Sequence, residues 1–423
     1  MRPLRLPAAT WTLVDQGVLS LGTFLFNIVL ARHLPMSIYG GYAMFIGIIS
    51  LMQVFCGALI FYPLSVRGAI VGELERRRLI ATGLLLTAVL GTPIAVLLAA
   101  VTARFVHAGL FWPAFLALAA GQLQEALRRG LLSNFRHRDA VLGDMASYLG
   151  QVVLVLVVAR YFGLDLGTAL IMMALTSLLG AAIQFLQVRP AGVSPLPLVA
   201  TFRDFWSLGI WSLSSNLFQI LRGQSLPWVL TFVAGAAAAG LFQAAANIAN
   251  VINPVQTGVA NVIPQAAARA HAQGERSALS ASWPFIATGL PIIGAFVAIM
   301  IVMPGELLAL AYRARLDDAA ILTPIRLMAA SCFFSYAAAA GCAHLHGVNG
   351  GRAGLVADVA STLAVLACIY PATVYFGITG ACAIAMLGMI VRSAFIVIAI
   401  AARIRPEIEG ATPAIGEPVT GKP

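Results

Sequence analysis

Stretches of about twenty mostly apolar residues follow one another along this chain, parted by short connections that hold most of its charges. A helix rises about 1.5 Å per residue, so about 20 residues cross a hydrocarbon core of roughly 30 Å. Laid along the sequence, that ruler gives twelve spans: 12–31, 40–62, 79–101, 111–131, 141–160, 166–186, 205–233, 239–264, 283–303, 321–343, 354–375 and 380–402. Composition leaves no soluble alternative. Hydrophobic residues make up 60% and charged residues 10%, against roughly 45–50% and about 25% in soluble domains. The fold class expected is an all-α polytopic membrane protein.

Orientation follows from the basic residues, which gather on the cytoplasmic side of bilayer proteins. With the N-terminus in the cytoplasm, most of the 26 basic residues fall on that side, and the other receives only Arg32, Arg104, Arg160, Arg313 and Arg315. Both termini are then cytoplasmic. The first span does not read as a signal peptide, because Asp15 and Gln16 interrupt its start and no small-residue cleavage site follows. The stretch 406–423, rich in proline and glycine, reads as a disordered tail.

The net charge of +10 does not imply nucleic acid. Lys422 is the only lysine, and the arginines scatter over short connections instead of forming one patch. Cys56, Cys332, Cys342, Cys368 and Cys382 all fall in apolar stretches without metal-type or redox-type spacing, which suits small buried residues. Motifs for a P-loop, a His-Glu-x-x-His zinc site or a Gly-x-Ser-x-Gly nucleophile are missing. The connection 304–320 is too short for an external catalytic domain. The chain is expected to be no enzyme and to need no cofactor and no metal.

A proline-bearing break at 187–204 divides the spans six and six, giving lobes 1–200 and 201–405. With six spans each, both halves start on the same side, the plan of parallel repeats about an axis along the membrane normal. An offset of 200 residues also sets Leu21 on Leu221, Val29 on Val229, Leu30 on Leu230 and Gly40 on Gly240.

Polar residues inside spans cost free energy unless satisfied, so their placement is informative. Gln16, Ser20, Thr23 and Asn27 recur on one face of the first span. Ser212, Ser215, Asn216, Gln219, Arg222 and Gly223 form a second stripe, on the seventh. Gln243, Asn247, Asn250, Thr257, Asn261 and Gln265 run along the eighth. Single stripes of this kind glue helices together; three long ones suit a wet cavity. Asn216, Gln219, Arg222, Asn247 and Asn250 are the candidate substrate ligands.

Arg222 is the sharpest of these. Its bidentate donor fork suits phosphate or carboxylate, unless it pairs with an acid from another helix, such as Asp15 or Asp358. Arg326 is expected to snorkel from a span end and Arg392 to pack peripherally. Asp15 and Asp358 are candidate ion-coupling residues, for a proton or sodium, or else helix-start acids favoured by the dipole. Glu125 has Arg128 and Arg129 at i+3 and i+4, the spacing of a helix-surface ion pair. His344 and His346 do not by themselves make a metal site.

One run of residues resembles a known family. Asp15-Gln16, Ser20, Phe24, Ala31-Arg32-His33-Leu34, Tyr39-Gly40 and Pro63-Leu64 look like the first hairpin of the lipid-linked oligosaccharide flippases. These form the polysaccharide-transporter branch of the superfamily that also holds multidrug and toxin extrusion proteins. Gly235, Gly240, Ile263-Pro264-Gln265-Ala266-Ala267-Ala268 and Gly274 agree. The resemblance implies two six-helix lobes that alternate between inward-open and outward-open states. It implies transport of an undecaprenyl-pyrophosphate-linked glycan from the cytoplasmic to the periplasmic leaflet of a bacterial inner membrane, for O-antigen, capsule or exopolysaccharide. It also implies a proton or sodium gradient, a monomer, and a polysaccharide polymerase and glycosyltransferases as partners. A cationic central cavity goes with the family, and Arg222 is the residue here that suits it. This sequence departs from that pattern in showing no matching deep arginine in the first lobe. A cation-coupled multidrug or metabolite antiporter is the alternative, although deep acids would suit that role and arginines stand there instead. A membrane scaffold for glycan assembly is the third reading.

Overall fold

The computed structural model describes residues 8–134, 136–190, 194–271, 274–312, 318–348 and 350–410. Arg313, Arg315 and residues 411–423 lie outside the described residues, whereas 406–410, expected from the sequence to begin a disordered tail, continue the last helix. Among those described there is no strand. The twelve long helices are α1 (Ala8–His33), α2 (36–70), α3 (73–105), α4 (Phe111–Leu132), α5 (137–161), α6 (Leu166–Val188), α7 (Leu198–Ala234), α8 (236–271), α9 (Glu275–Val302), α10 (Asp318–Gly347), α11 (351–376) and α12 (378–410). They fall into two six-helix lobes, and each matches one span read from the sequence.

Several helices overrun their predicted limits, because the apolar ruler measures only the part in lipid. α7 begins at Leu198 instead of near 205, directly after Pro197. The break between lobes is correspondingly shorter, and it is fastened to α3. Arg77 Nε donates to the Arg189 carbonyl at 2.9 Å and Arg78 Nε to the Ser194 carbonyl at 2.9 Å. The Leu196 amide donates to the Thr82 hydroxyl at 2.8 Å. Between α11 and α12 the whole turn is made at Gly377, with φ 55° and ψ −133°, a conformation open to glycine and strained for other residues.

Eight helical runs are apolar enough throughout to cross a membrane by length and composition, and the last of these holds both α11 and α12. α4, α7 and α8 are not among them. α4 and α8 contribute six of the cavity's carboxamides and α7 contributes the buried Arg222, which lowers their mean hydropathy. Three helices also contain π-turns, at Gly57–Phe61 in α2, Thr87–Gly91 in α3 and Met145–Leu149 in α5. Such insertions locally rotate the side chains that follow.

The lobes meet along α2, which lies against α7 and α8. At one end Gly40 and Gly240 stand in backbone contact: a Cβ on Gly40 would come within 1.7 Å of the Ala236 carbonyl oxygen, and one on Gly240 within 2.5 Å of that of Met36. Farther along, Gln224 donates to Ser50 at 3.4 Å. At the other end Arg67 grips Asp204 with bonds of 2.8 and 2.5 Å. α1 is different. The hydrogen bonds that tie it to the second lobe, among the described residues, lie in its last ten residues. Arg32 donates to the carbonyls of Ala311 and Leu310 at 2.6 and 2.7 Å. Those carbonyls end a short helix, Pro304–Tyr312, inside a connection for which the sequence predicts no structure.

Candidate functional site

A cavity of about 810 Å³ lies within the first lobe and is closed by α8. Its polar lining consists chiefly of carboxamides, set among apolar side chains: Gln16 and Asn27 of α1, Gln53 of α2, Gln122 and Gln124 of α4, Gln151 of α5, and Gln243, Asn247, Asn250 and Asn253 of α8. Ser20, Thr23, Ser147 and Ser177 add hydroxyls. The first polar stripe therefore faces the cavity at all four of its positions, and the first three residues of the α8 stripe join it. Asn250 stands where α8 passes through a 3-10 turn, Asn250–Ile252, which lets Asn250 and Asn253 both reach the space.

One end of the cavity is sealed by a hydrogen-bonded floor. Asn27 accepts from Tyr39 at 3.3 Å and from Gln243 at 3.5 Å. Asn247 donates to the Phe24 carbonyl at 3.5 Å and to the Tyr312 hydroxyl at 3.3 Å, and Tyr312 donates to the Ala244 carbonyl at 3.1 Å. The wall extends from this floor toward the end of the bundle that carries the N-terminus. On that flank Leu21 of α1 and Val251 of α8 line the cavity while 51% and 46% exposed.

Among the described residues, the charged groups on the wall are Glu125, Arg128 and Arg129. Both ion pairs that the sequence spacing suggests are formed, Glu125 with Arg128 and with Arg129, but Glu125 and Arg128 are buried and not on a surface. Arg128 is 3% exposed and reaches three carboxylates. Its Nε donates to Asp144 of α5 at 2.8 Å, one terminal nitrogen lies 3.3 Å from Glu125, and the other bonds Asp15 of α1. Asp144, fully buried, also accepts from Gln184 at 3.1 Å and Gln124 at 3.3 Å. Arg129 Nε donates to Glu125 at 2.6 Å. The expectation that the first lobe lacks a deep arginine is thus overturned. Asp15 is the eighth residue of α1, past the first turn, so a helix-start role does not explain it.

The second lobe holds the converse cluster. Asp358 of α11 accepts from Arg222 of α7 at 3.2 Å and from Arg392 of α12 at 2.8 Å, with Gln219 at 3.4 Å. Arg222 also donates to Ser361 at 2.5 Å, while its buried Nε meets no acceptor. Of the candidate ligands, Asn247 and Asn250 line the cavity. Asn216, Gln219 and Arg222 do not; Arg222 makes the structural pair with Asp358 that stood as its alternative, and Asn216 donates to Ser212 at 3.2 Å. Arg392 is drawn into this cluster and is not peripheral. Arg326 does stay exposed, its Nε on the Ile301 carbonyl at 3.1 Å. His344 is buried against Ser282 at 3.0 Å.

Asp144 and Arg128 are the residues that sequence reasoning missed. Both fall inside predicted spans, at 141–160 and 111–131, so their depth was the available signal.

No family model matches the chain, and no curated protein does. Solved structures do. An inward-facing multidrug resistance MATE family transporter of the MOP superfamily superposes with a TM-score of 0.76 at 16% identity, covering 94% of this chain and 99% of that one. An outward-facing MATE family transporter gives 0.65 at 16% identity, covering 95% of each chain. The lipid II flippase MurJ, in an inward closed conformation, gives 0.73 at 12% identity, covering 93% of this chain and 87% of that one. At these identities the likeness establishes the fold, the two-lobed, twelve-helix architecture of these membrane transporters.

Proposed function

We propose that this chain is a flippase that carries an undecaprenyl-pyrophosphate-linked oligosaccharide between leaflets by alternating access, for surface polysaccharide synthesis. One observation carries the reading: a large amide-lined chamber borders, on its α1–α8 flank, exposed apolar side chains at Leu21 and Val251. A polar head group entering the bilayer core must exchange its water for protein hydrogen bonds, since each unmet group costs several kcal/mol. A polyprenyl tail needs no such shelter and stays in lipid beside the apolar flank. In this reading the membrane is a bacterial inner membrane, both termini are cytoplasmic, and the chamber faces the cytoplasm. The likeness to MurJ, a lipid II flippase, supports it.

Asp15, Glu125 and Asp144 outnumber Arg128 and Arg129, leaving the buried cluster one negative charge in excess. We take this excess acid as the place where a coupling cation, proton or sodium, would act, with Asp15, which ties α1 to Arg128 of α4, as the coupling residue. Asp358 lies in a cluster with one positive charge in excess and serves there as counter-ion. The substrate ligands assigned are Asn247 and Asn250, with Gln243 and Gln53 beside them.

The test is a gene deletion followed by leaflet-resolved extraction of lipid-linked glycans. Accumulation of the repeat unit on the cytoplasmic side, with loss of surface polysaccharide, is the expected result. The same buried carboxylates favour a second reading, a proton-coupled antiporter for cationic compounds, in line with the likeness to multidrug resistance transporters. Normal surface glycan together with new sensitivity to cationic drugs would select it.

A further inference from the structure

We infer that the chamber selects an uncharged, hydroxyl-rich glycan and discriminates against acidic sugars. This deepens the flippase reading and rests on it. A carboxamide both donates and accepts, so it matches either face of a sugar hydroxyl without a change of protonation state. Ten of them, from five helices, line one space. A carboxylate on the head group would instead need a cation once stripped of water, and among the described residues the wall offers only Arg129 beyond the fully committed Arg128.

Arg128 has each of its three nitrogens committed to a carboxylate: Nε to Asp144, the terminal pair to Glu125 and Asp15. Arg129 is held by Glu125 at 2.6 Å and stands with it at the end away from the floor. There it is placed to meet the carrier's diphosphate, with 39% of its side chain exposed. Toward the floor, at Asn27, Tyr42, Gln243 and Asn247, the lining is polar but wholly neutral. A uronic acid there would face no positive group, and one nearer Arg128 would face Glu125. Arg222, the cation that the sequence suggests for an acidic head group, lies outside this wall and serves Asp358.

The experiment compares two probes on the full-length purified protein in lipid nanodiscs. One is a polyprenyl-diphosphate trisaccharide of neutral hexoses; the other has one hexose replaced by a hexuronic acid. The neutral probe should bind at least about tenfold more tightly. Gln53→Arg, which places a cation on an exposed part of the wall, should close that gap by tightening the acidic probe. Equal binding of the two probes, or tighter binding of the acidic one, overturns the selectivity while leaving the flippase reading in place. Binding of neither, with tetraphenylphosphonium bound instead, overturns the flippase reading and this inference together.

Discussion

Asp144 and Asp358 occupy the same place in their two lobes. Each is the eighth residue of its lobe's fifth helix, and each accepts a hydrogen bond from an arginine Nε at 2.8 Å. Each also accepts from glutamine, Gln184 and Gln124 in one case and Gln219 in the other. The surroundings then diverge. Asp144 shares its arginine with two more acids, whereas Asp358 is shared by two arginines. The matched position thus anchors an acid-rich cluster beside the cavity in one lobe and a base-rich one away from it in the other, and the two should respond differently to substitution.

Asp358→Asn should destabilise the protein more than Arg222→Gln. Removing the acid leaves two buried guanidinium groups without a counter-ion, a change that costs about 3–5 kcal/mol where a buried pair is broken. Removing Arg222 leaves the well-made Arg392–Asp358 pair. Thermal unfolding of the purified variants in detergent reads the difference; a larger loss for Arg222→Gln would contradict the assignment of Asp358 as the shared counter-ion.

In the first lobe, Arg128→Gln leaves Asp15 and Asp144 without their cation, while Glu125 keeps Arg129. Large destabilisation is expected, on the order of 3–5 kcal/mol, and Asp144→Asn in the same chain should recover part of it. A double-mutant cycle on thermal stability gives the coupling. Additive losses would mean that the two side chains do not act as a unit.

How much of this could be read from sequence depends on the range of the contact. Span number was legible because lipid imposes a length of apolar chain on each helix, and the first polar stripe was legible because helical periodicity places Gln16, Ser20, Thr23 and Asn27 on one face. Arg128 was not. Its spacing to Glu125 is local and says surface pair, while Asp15 lies 113 residues away, and one helix's pattern does not record which neighbour covers it. Arg222 is the opposite case: its depth was read correctly and Asp358 stood among its possible partners, but with the contacts 136 and 139 residues on, the sequence could not choose between that pair and a substrate. The short helix Pro304–Tyr312 falls below the length that a membrane ruler registers.

Glycines divide sharply by what faces them. Gly40→Ala must push the α2 and α8 backbones apart and should cost about 2 kcal/mol or more, since neither backbone can yield as a flexible side chain does. Gly17→Ala meets nothing within 4 Å and should be neutral or stabilising by up to about 1 kcal/mol through helix propensity. Thermal stability of the two variants side by side checks the seam: equal effects would mean that the lobes do not meet at Gly40.

Arg32 is placed to hold the chamber shut at its floor. It is the first lobe's charged contact with the last turn of the helix Pro304–Tyr312, where the carbonyls of Leu310 and Ala311 carry the negative end of the helix dipole. Hydrogen bonds to a charged group contribute about 1.5–3 kcal/mol each, enough to weigh on an equilibrium between two open states. Opening at the floor must break both bonds and separate Asn247 from Phe24. Arg32→Gln should therefore raise the population open at that end without touching the cavity wall. The measurement is the labelling rate of the cavity-lining Thr23→Cys by a membrane-impermeant thiol reagent added from that side, with the five native cysteines replaced. The two bonds together predict at least about a tenfold rise, and an unchanged rate would show that the floor is held by Asn27, Asn247 and Tyr312 without Arg32.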